Sequence, residues 1–216
     1  MDLFDAVASG QLDELGAALA AEPSLAARRH TTGASLLAWA YYVGKPDAAP
    51  VILPHLDRLD PYDAIIAGDA TAVRDNLDDG WDGNTLSPDG FTPLALAAFF
   101  NRPEIFELLL PLTRDVNEAA RNRQKVAALH AATAARNADM VEALLMAGAD
   151  PNQRQADDVT PLQAAALHGD AAISGMLLLF GADPALRDAK GRSAADHALS
   201  GGHAWLAEKL AAFGTL

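Results

Sequence analysis

Six histidines are the first side chains to weigh for chemistry: His30, His55, His130, His168, His197 and His203, no two closer than six residues apart. A metal centre or an acid–base pair needs several ionisable groups held together, and no His-Glu-x-x-His helix supplies one. Gly44-Lys45 has Trp39 five residues before the lysine's glycine and Pro46 after it, so it is no phosphate-binding loop. No Gly-x-Ser-x-Gly elbow occurs either. The chain holds no cysteine, which removes disulfides, thiolate zinc sites and thiol nucleophiles. Acids fall mostly at turn positions rather than in facing pairs. The expectation is a protein that is not an enzyme, with no catalytic or metal-ligating residues and no cofactor.

Charge narrows the partners. There are 29 acidic and 16 basic side chains, a formal charge of −13. Such a chain repels phosphate backbones and anionic membranes, so neither nucleic acid nor membrane is an expected partner. The start, MDLFDAVASG, lacks the basic segment and apolar run of a secretory signal, and runs such as Met176 to Phe180 are far too short to span a bilayer. A cytoplasmic protein is expected. Residues 57–90 carry nine aspartates against Arg58 and Arg74. They read first as helix and turn caps; the alternative is a field that steers a basic partner. Arg121, Arg123, Lys125 and Arg136 occur with no acid between Ala119 and Ala138.

The elements that carry these residues are helical. Alanine (48) and leucine (31) dominate, and aromatics number only 13 among 216 residues. Self-similarity then sets the architecture. Asp89-Gly90-Phe91-Thr92-Pro93-Leu94 aligns with Asp158-Val159-Thr160-Pro161-Leu162 and with Lys190-Gly191-Arg192-Ser193-Ala194-Ala195. Leu144-Leu145-Met146-Ala147-Gly148-Ala149-Asp150-Pro151 aligns with Leu178-Leu179-Phe180-Gly181-Ala182-Asp183-Pro184. Turn marks at Gly10, Gly44, Gly68, Asn101, Arg136, Gly169 and Gly202 are separated by 34, 24, 33, 35, 33 and 33 residues. The chain repeats a unit of about 33 residues, with one short interval.

Each part of the unit has a role. Thr92 caps a helix that Pro93 opens. Leu94, Ala97 and Ala98 line one face of it, and Ile105, Leu108 and Leu109 form the stripe of a second, antiparallel helix. Gly148 and Gly181 close that helix, and the following Asp-Pro stops its continuation. A pair this short cannot bury its apolar face alone and must stack on copies of itself.

These residues, Gly-x-Thr-Pro-Leu followed by a turn and Leu-Leu-x-x-Gly-Ala-Asp, resemble the ankyrin repeat. The likeness is strongest at 87–118, 122–152 and 156–186, good at 188–214 and weak before residue 60. It implies an all-α ankyrin-repeat solenoid of antiparallel helix pairs with short hairpin fingers. We expect a single domain, 1–216, with repeats near 1–30, 31–58, 59–86, 87–120, 121–153, 154–186 and 187–216. Two departures carry expectations. Arg136 stands where glycine is usual, so the left-handed turn should slide to Asn137. The short interval should join the second and third units by a simple turn near His55 to Pro61, and two cap-like starts, at Leu3 to Gln11 and Pro61 to Asp69, predict a kink or gap near residue 60. Asp2, Asp5, Gln11, Asp13 and Glu14 should cover one end, and Glu208 and Lys209 the other only in part.

The resemblance implies binding of another protein through finger tips and through the two positions before each inner-helix turn. It also implies that His130 hydrogen-bonds within the fingers. The apolar members, Phe91, Phe99, Phe100 and Tyr42 with Arg123, are the expected anchors, joined by Val126, Val159, Leu167 and His168. The expected function is a monomeric, non-enzymatic interaction module. The alternative is a self-assembling structural protein that uses the apolar groove or the C-terminal repeat.

Overall fold

A computed structural model describes residues 2–213. Its contacts divide into two compact units, residues 1–90 and 91–216. Among the described residues the regular structure is helical, with one isolated bridge between Arg29 and Ser35.

Unit 1 holds α1 (Leu3–Ser9), α2 (Leu12–Ala21), α3 (Leu36–Tyr42), α4 (Ala49–Ile52), α5 (Pro61–Ala67) and α6 (Ala70–Asp78). The inner helices α1, α3 and α5 pack in a row, and α2 packs on α4 behind them. Leu15, Leu19, Leu36, Leu37 and Ile52 are buried completely. Around them Trp39 stacks on His30 at 4.1 Å and donates from Nε1 to the Phe4 carbonyl. The short interval contains no finger. A single 3-10 turn, Leu53–His55, leads through extended Leu56 to Asp60, which caps α5. The expected gap near residue 60 is absent: Arg29 pairs with Asp60, and the Ser35 hydroxyl donates to Asp63, tying the second pair to the third.

Unit 2 holds α7 (Pro93–Phe99), α8 (Pro103–Leu109), α9 (Ala128–Ala134), α10 (Ala138–Met146), α11 (Pro161–Leu167), α12 (Ala171–Leu179), α13 (Ala194–Ser200) and α14 (Ala204–Phe213). The inner helices α7, α9, α11 and α13 pack side by side, each against its outer partner. Leu94, Ala97 and Ala98 are buried, as are Ile105 and Leu109. Thr92, Thr160 and Ser193 each accept a backbone N–H of the helix they open. The fingers between the pairs are laced together. Asn117 Nδ2 donates to the Gly148 carbonyl while its Oδ1 accepts from Asp150 N; Asn152 repeats both bonds with Gly181 and Asp183.

All seven turn marks take the left-handed conformation, with φ from 52° to 84°. Arg136 is among them, at φ 55°, so the expected slide to Asn137 does not occur. Asn137 is extended because its side chain is committed. Its Oδ1 accepts from Met140 N, capping α10, and its Nδ2 donates to Asn101 Oδ1 at 2.6 Å. Two hydrogen bonds hold Asn137 in place and the strain falls on its neighbour. A left-handed non-glycine costs about 1–2 kcal/mol, and the Arg136–Asp170 contact at 3.5 Å is exposed and returns little. Arg136→Gly is therefore expected to raise the stability of unit 2 by roughly 0.5–1 kcal/mol in urea unfolding.

Candidate interaction surface

The inner helices of unit 2 end together. Phe99 and Phe100 close α7, Ala134 and Ala135 close α9, and Leu167 and His168 close α11. Each helix stops because the next residue turns left-handed, so the two residues before the turn stand at the same place in successive pairs. Phe99 is 53% exposed, and Phe100, half-buried, meets it edge-on with ring centroids 5.1 Å apart. Leu167 and His168 are exposed. Phe91 is half-buried one residue ahead of the Thr92 cap.

The finger before α9 is closed by Ala120 N donating to the Val126 carbonyl, and the finger before α11 by Gln155 N donating to that of Val159. Ala156 N donates to the Gln124 carbonyl and Ala189 N to that of Asp157, so the tips stand in register. Both valines are half-buried. Arg123 and Lys125 project from the first tip, exposed, whereas Arg121 pairs with Glu118 and Arg136 with Asp170. Unit 2 carries Phe91, Phe99, Phe100, Arg123, Val126, Val159, Leu167 and His168 on its inner-helix ends and fingers, with Phe99 and Phe100 in contact. Tyr42 belongs to unit 1. It is half-buried and its hydroxyl donates to Asp89 Oδ2 at 2.8 Å; burial, then the carboxylate, holds the phenol far above its ordinary range.

Five of the nine aspartates of 57–90 cap helices, shape turns or pair with a neighbour within unit 1. Asp60 and Asp69 cap α5 and α6, and Asp82 turns the chain by accepting from Asn84 N and Thr85 N. Asp79 pairs with Arg58, and Asp89 accepts from Ser87 and Tyr42. Asp63 differs: it is buried, and desolvation, then Asp60, raises its carboxyl to about 6.

His130 is buried in unit 2, where Nδ1 accepts from Ala127 N and Nε2 donates to the Gln153 carbonyl at 3.0 Å. Burial lowers its pKa to about 4, so it stands neutral. Gln163 occupies the corresponding place one repeat later, accepting from Thr160 N and donating to the Leu186 and Arg192 carbonyls. Sequence reasoning missed a third such knot. Asp188 is buried between Arg192 and His197, accepting from the Lys190 and Arg192 N–H groups, the Arg192 guanidinium and His197 Nε2. Burial alone would push its carboxyl up, but these donors together hold it well below the usual range. Asp188 and Arg192 stand four residues apart, which was a visible signal; the nine-residue reach to His197 was not. Among the described residues no three His, Asp or Glu side chains are grouped to hold a metal ion, and no helix is long and apolar enough to cross a membrane.

Stacked helix pairs with laced fingers and structural histidine knots define a helical repeat scaffold. A family model described as ankyrin repeats (3 copies) matches residues 61–155 and 129–215. The chain belongs to the ankyrin-repeat family, and its fold is the all-α ankyrin solenoid. Ankyrin repeats are generally protein–protein interaction modules and typically not enzymes. A comparison with curated proteins finds no match to this chain.

Proposed function

We propose that this chain is a non-enzymatic module that captures a partner protein on the inner-helix ends and fingers of residues 91–216. The observation that supports it is the Phe99–Phe100 pair. A large ring more than half exposed at an inner-helix end contributes little to the core, yet it rests edge-on against a second ring that fixes its orientation. Aromatic anchors beside an arginine are the residue types that dominate binding energies, and Arg123 stands at the neighbouring finger tip. Leu167 and His168 extend the surface along the same row. The net charge of −13 favours encounter with a partner of net positive charge.

The test is affinity capture from the native cell with wild type and Phe99→Ser. The variant is expected to retain at least roughly tenfold less of the specific partner, as for a hot-spot loss, while its melting temperature stays within about 2 °C. Adding Phe100→Ser should deepen the loss at some cost in stability, because that ring is half-buried. Unchanged capture by Phe99→Ser would remove this surface from the reading.

A further inference from the structure

Five non-glycine residues take a left-handed φ among the described residues, and three of them, Asn101, Asp157 and Asp158, are of the types that tolerate it. The other two are long cations, Lys125 at φ 51° and Arg136 at φ 55°. Both belong to one repeat. Lys125 turns the finger that leads into α9, and Arg136 turns the chain that leaves it. Asp158 and Gly191 stand at the place of Lys125 in the two later repeats, and Gly169 and Gly202 at the place of Arg136. The α9 repeat thus puts a cation twice where its neighbours use a residue that bends with less strain.

Neither cation gains much within the fold. Lys125, and Arg123 beside it, are exposed and form no ion pair with a described residue; Asp157 and Asp158 on the next finger tip reach neither of them. Arg136 meets Asp170 through Nε alone, at 3.5 Å, and its two terminal nitrogens have no acceptor among the described residues. Strained backbone of this kind concentrates at residues that serve a ligand rather than the fold. Between the two turns lies α9, which packs on α7 to one side and α11 to the other. Its exposed end residue is Ala134, whose counterparts on those helices are Phe99 and Leu167, both exposed. A methyl group between two large apolar side chains leaves a recess, with a cation at each end of the helix that carries it.

We propose that the α9 repeat takes an acidic segment of the partner protein. An apolar side chain of that segment sits over Ala134 between Phe99 and Leu167, one carboxylate meets the Arg136 guanidinium, and a second meets Lys125 and Arg123. The seven residues of α9 rise about 10 Å, so the two carboxylates stand roughly three or four residues apart in an extended segment. Asp157 and Asp158 repel the same segment from the next finger and so fix its register. The inference rests on the capture surface proposed above and names the chemistry of what it takes: whatever the partner's overall charge, the part in contact is acidic.

Selection of short random peptides displayed on phage, with the full chain as bait, tests it. Retained peptides should carry two acidic residues roughly three or four apart with an aromatic residue or leucine between them, and neutral or basic winners, or none, overturn the proposal. One retained peptide is then synthesised and titrated against variants. Arg136→Gly and Lys125→Gly should each weaken its binding about fivefold to tenfold. Each variant should also melt higher than wild type, because glycine relieves the turn, which separates lost contact from a damaged fold. Exchanging the peptide's acids for amides should weaken binding to wild type but add little to the loss in Arg136→Gly; losses that simply add place the carboxylate elsewhere and overturn the proposal. Phe99→Ser should release the peptide too. Release by Phe99→Ser but by neither glycine variant overturns the acidic segment and leaves the capture surface standing, whereas binding unchanged in all three removes both.

Discussion

Asp63→Asn is expected to stabilise unit 1 at neutral pH by about 3 kcal/mol, the largest gain of any single substitution considered. The wild-type carboxyl sits at the join of the second and third pairs, buried, accepting from Ser35 and near Asp60 and Asp89. Ser35 also caps α3 by accepting from Ala38 N, so its proton is the one available to Asp63. Burial and the two neighbouring carboxylates favour the neutral acid and raise its pKa from 3.8 to about 6. The sign follows directly. Between those values the folded chain holds a proton that the unfolded chain has released, so stability falls as pH rises through the interval and is flat above it. Asparagine has the same shape, accepts from Ser35 equally well and never ionises. The variant should match wild type near pH 4 and exceed it at pH 7. Urea titrations of a Trp205→Phe background, where Trp39 and Trp81 report unit 1, measure this. A variant no more stable than wild type at pH 7 would show that Asp63 ionises in the fold without penalty.

His130 gives unit 2 the opposite slope. Its ring accepts one backbone N–H and donates to one carbonyl, a pattern only the neutral imidazole can make. Its folded pKa of about 4 lies below the ordinary 6.5. The unfolded chain therefore takes up a proton first as pH falls. The contribution is complete above 6.5, declines through the interval and is gone below about 4, a loss of roughly 3 kcal/mol. His130→Gln should keep both bonds, because Gln163 makes the equivalent pair one repeat later. The expected outcome is near wild-type stability at pH 7 and a flatter decline toward pH 4. Peptide-resolved pulse proteolysis in urea separates the responses of the two units. Equal acid loss in the variant and in wild type would assign the decline to other groups.

The two residues also mark what sequence can reveal. His130 was legible through the resemblance, because it stands where ankyrin repeats place a histidine that hydrogen-bonds within the fingers. Asp63 was not, because nothing in a run of nine aspartates separates the buried one from those that cap helices. The difference is made by Ser35, 28 residues earlier, whose partner depends on which pairs stack. Arg136 shows the same limit. Spacing placed the turn correctly, but only the bond from Asn137 to Asn101 decided that arginine and not asparagine would take the strained angle.

Local rules repeated about every 33 residues determined the helix pairs, their caps, six of the seven left-handed turns and the family, since each depends on residues within a turn or two of one another. Tertiary structure decided which aromatic ring stays wet and which carboxyl is buried. Exposure is set by neighbours distant along the chain, and a repeating pattern gives every copy the same local instructions whatever those neighbours do.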